Sequence, residues 1–221
     1  RIRFEFPKVQ HLSNGIPVYV VEAGVQEVFR LELVYHAGRK ADSRFLLGNL
    51  VPPLLKEGTK SFDGASLAKA FDKYGLNVKA KASPDIASIA VHGLTRNMPQ
   101  ALPLLSDMVR NPAFPKKEVA NFLNQREQKM KQRLEQNSYV AGLKLLNNLF
   151  GEKHPLGFTY EPEAFRTVKI SDLQDFHKKY YHAGNCTIFL SGRPSSEAVK
   201  MLEDHFGQQV YPGKEAPGDK I

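Results

Sequence analysis

A chain of 221 residues with 42% hydrophobic side chains can bury one sizeable core, and we read it as one large domain. Its formal charge is +8, but lysines and arginines are spread along the chain and alternate with acids, as in KEGTK and QREQKMKQR, which describes a solvated surface. No basic and aromatic interleaving of the kind that stacks bases occurs, the single cysteine (Cys186) excludes an internal disulfide and a thiolate-built zinc site, and no apolar run approaches the roughly 20 residues that span a bilayer.

The expectation is therefore a soluble chain without nucleic-acid partners, with any targeting segment already removed. A lone cysteine does not fix the compartment; a periplasmic or organellar location is the expectation.

In chain order, a turn at Asn14-Gly15 precedes the β-rich run Ile16 to Val21, and Val28 to Tyr35 alternates apolar and polar residues, so these two runs are expected to pair as neighbouring strands. After His36-Ala37-Gly38 a loop, Arg39 to Arg44, leads into the apolar segment Phe45 to Leu55. Adjacent prolines, Pro52 and Pro53, predict a helix that kinks there or starts at them. Ser66 to Tyr74 carries apolar residues at 67, 70, 71 and 74, the spacing of one helical face, with Gly75 as its stop. Strands are predicted over Asn77 to Ala82 and Ile86 to Leu94. Thr95 and Asn97 are expected to cap a helix from Pro99 to Val109, and Pro115 opens a long charged helix, Lys116 to about Gln136, with a thin apolar seam at 119, 122, 123, 130 and 134.

Tyr139 to Phe150 reads as an apolar helix, 151–162 as a Gly- and Pro-rich loop, Ser171 to Tyr181 as a helix, Cys186 to Ser191 as a buried strand and Ser195 to Phe206 as a last helix. Together these give an α+β fold, a mostly antiparallel sheet packed against helices. The domain is taken as 1–207, with 208–221 a linker or tail toward a second repeat.

Residue chemistry alone points to no self-contained active site. A G-x-S-x-G elbow, a P-loop and a dinucleotide fingerprint are all missing. His177 and His182 lie five apart, so they do not share a helical face, and a satisfied surface role is expected for both. His154 precedes Pro155 in a loop and is expected to fix backbone.

The ordered fragments LSNGIPVYVVE, LVYHAGRKAD, LLKEGTKSF, LAKAFDKYGLNVKAKAS, FGEKHPLGFTYEPEAF and ISDLQDFHKKYYHAGNCTIFLSG resemble one repeat of the insulinase-like zinc peptidases, family M16, which includes pitrilysin and the mitochondrial processing peptidases. The resemblance covers roughly residues 8 to 207 and implies the repeat architecture of the LuxS and processing-peptidase metallohydrolases. Active members carry H-x-x-E-H just before the Gly-Thr element, with a further glutamate on a later helix. Two histidines four apart share a helical face and bind zinc, and the intervening glutamate is the general base. Here that place holds Asn49-Leu50-Val51-Pro52-Pro53 before Gly58-Thr59, and the later glutamate would fall near Gln132 or Arg133.

The resemblance thus implies a repeat with degenerate metal positions Asn49, Pro52, Pro53 and Arg133, no catalytic residue and no cofactor of its own. Zinc is expected in a partner subunit bearing H-x-x-E-H, with this domain closing a chamber and holding peptide substrate. Arg39, Lys40, Gly58 and Thr59 are the candidate substrate or partner contacts. A surface built to meet sister repeats would also favour a homodimer in isolation. The alternatives are a purely structural scaffold, like the core proteins of a respiratory complex, and a metallopeptidase with a displaced metal site.

Overall fold

Strict alternation decides the sheet. In Val28–Tyr35, residues Phe29, Leu31, Leu33 and Tyr35 fall on one face and all four are buried, while Val28, Arg30, Glu32 and Val34 fall on the other and stay half-exposed. A computed structural model describes residues 6–208. Its sheet has six strands: β1 (Lys8–His11), β2 (Pro17–Glu22), β3 (Val28–Tyr35), β4 (Asn77–Ala82), β5 (Ala87–Leu94) and β6 (Cys186–Gly192), in the order β1-β2-β6-β3-β5-β4. Every pairing is antiparallel except β2 with β6. Seven helices accompany it among the described residues: α1 (Leu47–Leu54), α2 (Gly64–Lys73), α3 (Met98–Arg110), α4 (Lys116–Leu134), α5 (Asn137–Phe150), α6 (Ile170–Tyr180) and α7 (Ala198–Leu202). This is the expected α+β class.

The pairing of β2 with β3 is corrected. β6 lies between them, parallel to β2 and antiparallel to β3, with Val18 opposite Ile188 and Leu33 opposite the same Ile188. The segment 23–27 is long enough to reach over one intervening strand, since an extended residue spans about 3.3–3.6 Å, so nothing local forbids the insertion. Gly192 ends β6 at φ +108, and a Cβ there would stand 2.3 Å from the Val28 carbonyl oxygen, so only glycine lets β6 and β3 close at this point.

One face of this sheet packs on the helices, and Leu50, Val51 and Leu54 of α1 reach 0–1% exposure beneath it. That burial accounts for a second correction. α1 does not start at the prolines: it begins at Leu47, carries Pro52 and Pro53 in its interior, and tightens into a 3-10 turn at Leu55–Glu57. The prolines remove the donors that would reach the carbonyls of Gly48 and Asn49, a cost that the apolar burial of five α1 side chains outweighs. The caps foreseen for α3 are also corrected. Asn97 precedes the helix, but its amide donates to the Tyr74 carbonyl (2.8 Å) and the Thr95 hydroxyl to the Arg193 carbonyl (2.7 Å), so both side chains tie separate segments together. The last predicted helix is α7 followed by one π turn at Glu203–Gly207, and the tail foreseen beyond 208 lies outside the described residues.

Two glycines fix α1 against the loop before it. A Cβ on Gly48 would sit 2.3 Å from the Gly38 carbonyl oxygen, and one on Gly38 would meet the backbone of Asp85 at 2.5 Å. Overpacking of this kind costs about 1–3 kcal/mol. Gly48→Ala is expected to lower the thermal midpoint accordingly, whereas Gly142→Ala, with no neighbour within 4 Å on α5, should raise it, because alanine is favoured over helical glycine by up to about 1 kcal/mol. Thermal unfolding of the two variants side by side checks both signs.

Candidate functional site

The helix at the place of the zinc motif is present, and its Asn49 faces a cleft of about 80 Å³ between α1 and α4. The other walls are Arg126, Lys129, Met130 and Arg133 of α4, Tyr139 at the start of α5, and Tyr160 and Phe165 from the loop and turn that follow. The fold thus brings Asn49 and Arg133 to one cleft. Pro52 and Pro53 do not line the cleft, and Pro52 is buried.

Residues 126, 129 and 133 share one face because their spacing of three and four matches the helical turn. Arg126 rests over the Phe122 ring (4.7 Å to its centroid) and Arg133 over Tyr139 (5.5 Å). The Tyr139 hydroxyl reaches the Met130 sulfur at 3.5 Å. Tyr160 packs edge-on against Phe165 (5.4 Å), and the Asn49 carboxamide faces its hydroxyl. Burial raises the Tyr160 phenol above its ordinary value, opposed by the positive fields of Arg39 and Arg126. Sequence reasoning missed Arg126, Lys129 and Tyr160. The first two were visible as an unbalanced cationic stripe with Arg133, but nothing in the local sequence of Tyr160 says that its loop folds back onto α1.

Zinc takes imidazole, thiolate and carboxylate ligands. The cleft offers a carboxamide, a thioether, two phenols and three cations, and these do not fit the ion. Among the described residues no three His, Cys, Asp or Glu side chains converge anywhere. Glu127, one of the two glutamates flanking the expected ligand position, is 3% exposed and faces away from the cleft toward Arg166. Arg166 grips it through two hydrogen bonds (2.8 and 2.6 Å), and Lys131 adds an ion pair at 2.7 Å. Glu135 is exposed.

The remaining candidates divide. Arg39 runs beside α1, and its Nε is buried without a hydrogen-bond partner. Lys40 pairs with Asp85 at 2.7 Å. Gly58 adopts φ +139, and the buried Thr59 hydroxyl accepts from the Ser61 and Phe62 amides (both 3.0 Å), so this pair builds a turn. His154 fixes its loop as expected: its carbonyl accepts from Gly157 and Phe158, and its Nδ1 from Leu156. The surface role foreseen for His177 is corrected. Its Nε2 lies 2.7 Å from the Val109 carbonyl oxygen, its ring stacks on Tyr181, and burial lowers its pKa, so it bolts α6 to α3. Cys186 is buried opposite Tyr35, and burial pushes its thiol up to about 12, which makes it a poor nucleophile. A larger cavity of about 480 Å³ lies between α2 and the start of β4, floored by Leu67, Phe71 and Met108, and shares no residue with the Asn49 cleft.

An α+β repeat with a peptidase helix in place and non-ligating side chains upon it is the class these features define. The model of the insulinase family, peptidase family M16, matches residues 20–157, and that of the peptidase M16 inactive domain matches 167–220. The chain belongs to peptidase family M16. It is 23% identical over 218 residues to mitochondrial-processing peptidase subunit alpha-1 of Dictyostelium discoideum, covering 96% of this chain and 33% of that protein. It is 22% identical over 207 residues to cytochrome b-c1 complex subunit 1 of Bos taurus, covering 90% and 42%. The solved peptidase M16 inactive domain from Pseudomonas fluorescens superposes with a TM-score of 0.81 at 24% identity, covering 95% of this chain and 53% of that one. The periplasmic protease PqqL from Escherichia coli gives 0.81 at 21%, with 98% and 25% covered. These superpositions show the fold, and the chain spans about a quarter to a half of the length of the curated relatives it matches.

Two outcomes follow from this geometry. Arg166, then Lys131, holds the Glu127 carboxyl down from 4.5 to about 2. The folded state therefore binds the proton less readily than the unfolded one, and the stabilisation, complete above the unfolded value, is lost as pH falls from about 4.5 toward 2. Glu127→Gln should be less stable than the parent at pH 6, with the gap between their melting temperatures narrowing as pH is lowered to 3. Separately, rebuilding the motif as Asn49→His, Pro52→Glu and Pro53→His should leave metal analysis well below one zinc per chain, because α4 still presents Met130 and cations to the cleft.

Proposed function

We propose that this domain is the metal-free repeat of a two-part peptidase, holding peptide and closing the chamber while hydrolysis proceeds on zinc bound by an H-x-x-E-H partner. The observation that carries the reading is α1: the family's motif helix is retained and packed in place, yet its cleft side offers Asn49 where a ligand would stand. A domain kept in shape without its metal chemistry is suited to binding.

Two surfaces support it. Among the described residues β4 ends the sheet and pairs only with β5, so its outer edge can accept an extended peptide through main-chain hydrogen bonds. α1 packs against this strand, Lys79 and Lys81 are exposed on it, and the 480 Å³ cavity adjoins its start, ready for an apolar side chain. α5 meanwhile buries none of its residues, with Leu145 58% and Leu149 67% exposed. That stripe suits contact with a sister repeat.

A scaffold role is the second reading, favoured by the likeness to cytochrome b-c1 complex subunit 1. Mixing the full-length subunit with an H-x-x-E-H partner separates the two. Complementation expects peptide cleavage by the partner to rise at least tenfold on addition of this subunit, and cleavage that is the same with and without it overturns the proposal.

A further inference from the structure

The cleft beside Asn49 has the opposite electrostatic sign from a metal site. Arg126, Lys129 and Arg133 stand on one face of α4, and none makes an ion pair with any described residue. Like charges three and four residues apart on a helix repel, so the stripe is unfavourable while nothing negative lies against it. Nearby acids do not supply that charge: Glu127 is committed to Arg166 and Lys131 on another face. A second observation is independent of α4. The Arg39 Nε, on the loop that abuts Gly48, is buried and unpaired, and its charge acts on Tyr160 in the same cleft. Arg39 stands behind the lining, so its positive field adds to that of the three α4 cations and favours an anion in the cleft without contacting it.

We infer that the cleft at the vacated metal position is an anion site, and that it takes a peptide carboxylate between Arg126 and Arg133, with the Asn49 amide and Tyr160 hydroxyl as further donors. Planar guanidinium groups match a carboxylate through paired hydrogen bonds. Both arginines are already steadied on aromatic rings, so less freedom is lost when they bind. The small volume and the apolar flank of Leu50 and Phe165 suit a flat group carried on a hydrocarbon stem. That the carboxylate belongs to a peptide rests on the function proposed above; that the cleft is anionophilic does not.

Calorimetric titration of the full-length subunit tests this with four probes. These are an end-blocked alanine-rich hexapeptide with one internal Glu, an unblocked-C-terminus version without acids, a fully blocked neutral version, and inorganic phosphate. Binding of the first or second peptide, weakened by added salt and by about tenfold or more in Arg126→Gln and in Arg133→Gln, is the expected result, and which peptide binds tells a side-chain carboxylate from a terminal one. Both arginines are exposed, and the unliganded variants should melt no lower than the parent, since repulsion is relieved. Equal binding of the neutral peptide, no binding of any probe, or unchanged affinity in the variants overturns the site, and binding of phosphate alone overturns its assignment to a peptide carboxylate. No catalytic partner is needed, so a failed mixing experiment with intact carboxylate binding would sink complementation and leave the anion site standing, and the converse result would do the reverse.

Discussion

The placement of β6 between β2 and β3 is the constraint on which the molecule is built. Ile188 and Leu190 are almost wholly buried and are paired on both sides, so the hydrogen-bond ladders of the N-terminal strands close only through a segment more than 150 residues away. The helices pack on a face that this strand completes, and the small glycine at its end lets the ladder finish against Val28. The two family models that match the chain part at residues 157 and 167, so the strand at the middle of the sheet belongs to the second match while its neighbours belong to the first. Boundaries drawn from sequence similarity here cut through a single cooperative layer.

Much of this fold was legible because local physics and tertiary need agreed. Period-two alternation placed β3, the 67, 70, 71, 74 spacing placed α2, and Gly75, at φ +61, ended it where a left-handed residue was wanted. What could not be read was long range. β2 and β3 look like a hairpin because the hairpin is the nearest solution, and only the rest of the chain shows that a third strand displaces it. Pro52 and Pro53 point the wrong way on where α1 begins for the same reason: backbone preference favours a start at them, and burial of the apolar face brings the preceding turn into the helix. His177 was misjudged because its acceptor, the Val109 carbonyl, lies 68 residues earlier.

Of the cleft, the sequence showed two positions and little of what surrounds them. Counting back from Gly58-Thr59 picked out Asn49, the family resemblance picked out the neighbourhood of Gln132 and Arg133, and Asn49 and Arg133 line one cleft. Counting could not show that Tyr160 folds over Asn49, that Arg39 lends its charge from another loop, or that Glu127 is turned away to clamp Arg166. Those facts change the chemistry from the mere absence of metal ligands to a field that repels cations. Glu127 illustrates how close the two conditions are in sequence: it directly follows Arg126, and a step of about 100° round the helix turns its carboxylate from the cleft toward Arg166.

The contact of Gly48 with Gly38 has a consequence for how such a site ages. Backbone meets backbone there with no side chain between, so α1 has no soft spacer through which to slide inward when the groups on its far side change. The α1 wall of the hollow beside Asn49 is therefore held in place when the side chains facing it change. A wall held in this way can be faced with new residues one at a time, each meeting the same backbone.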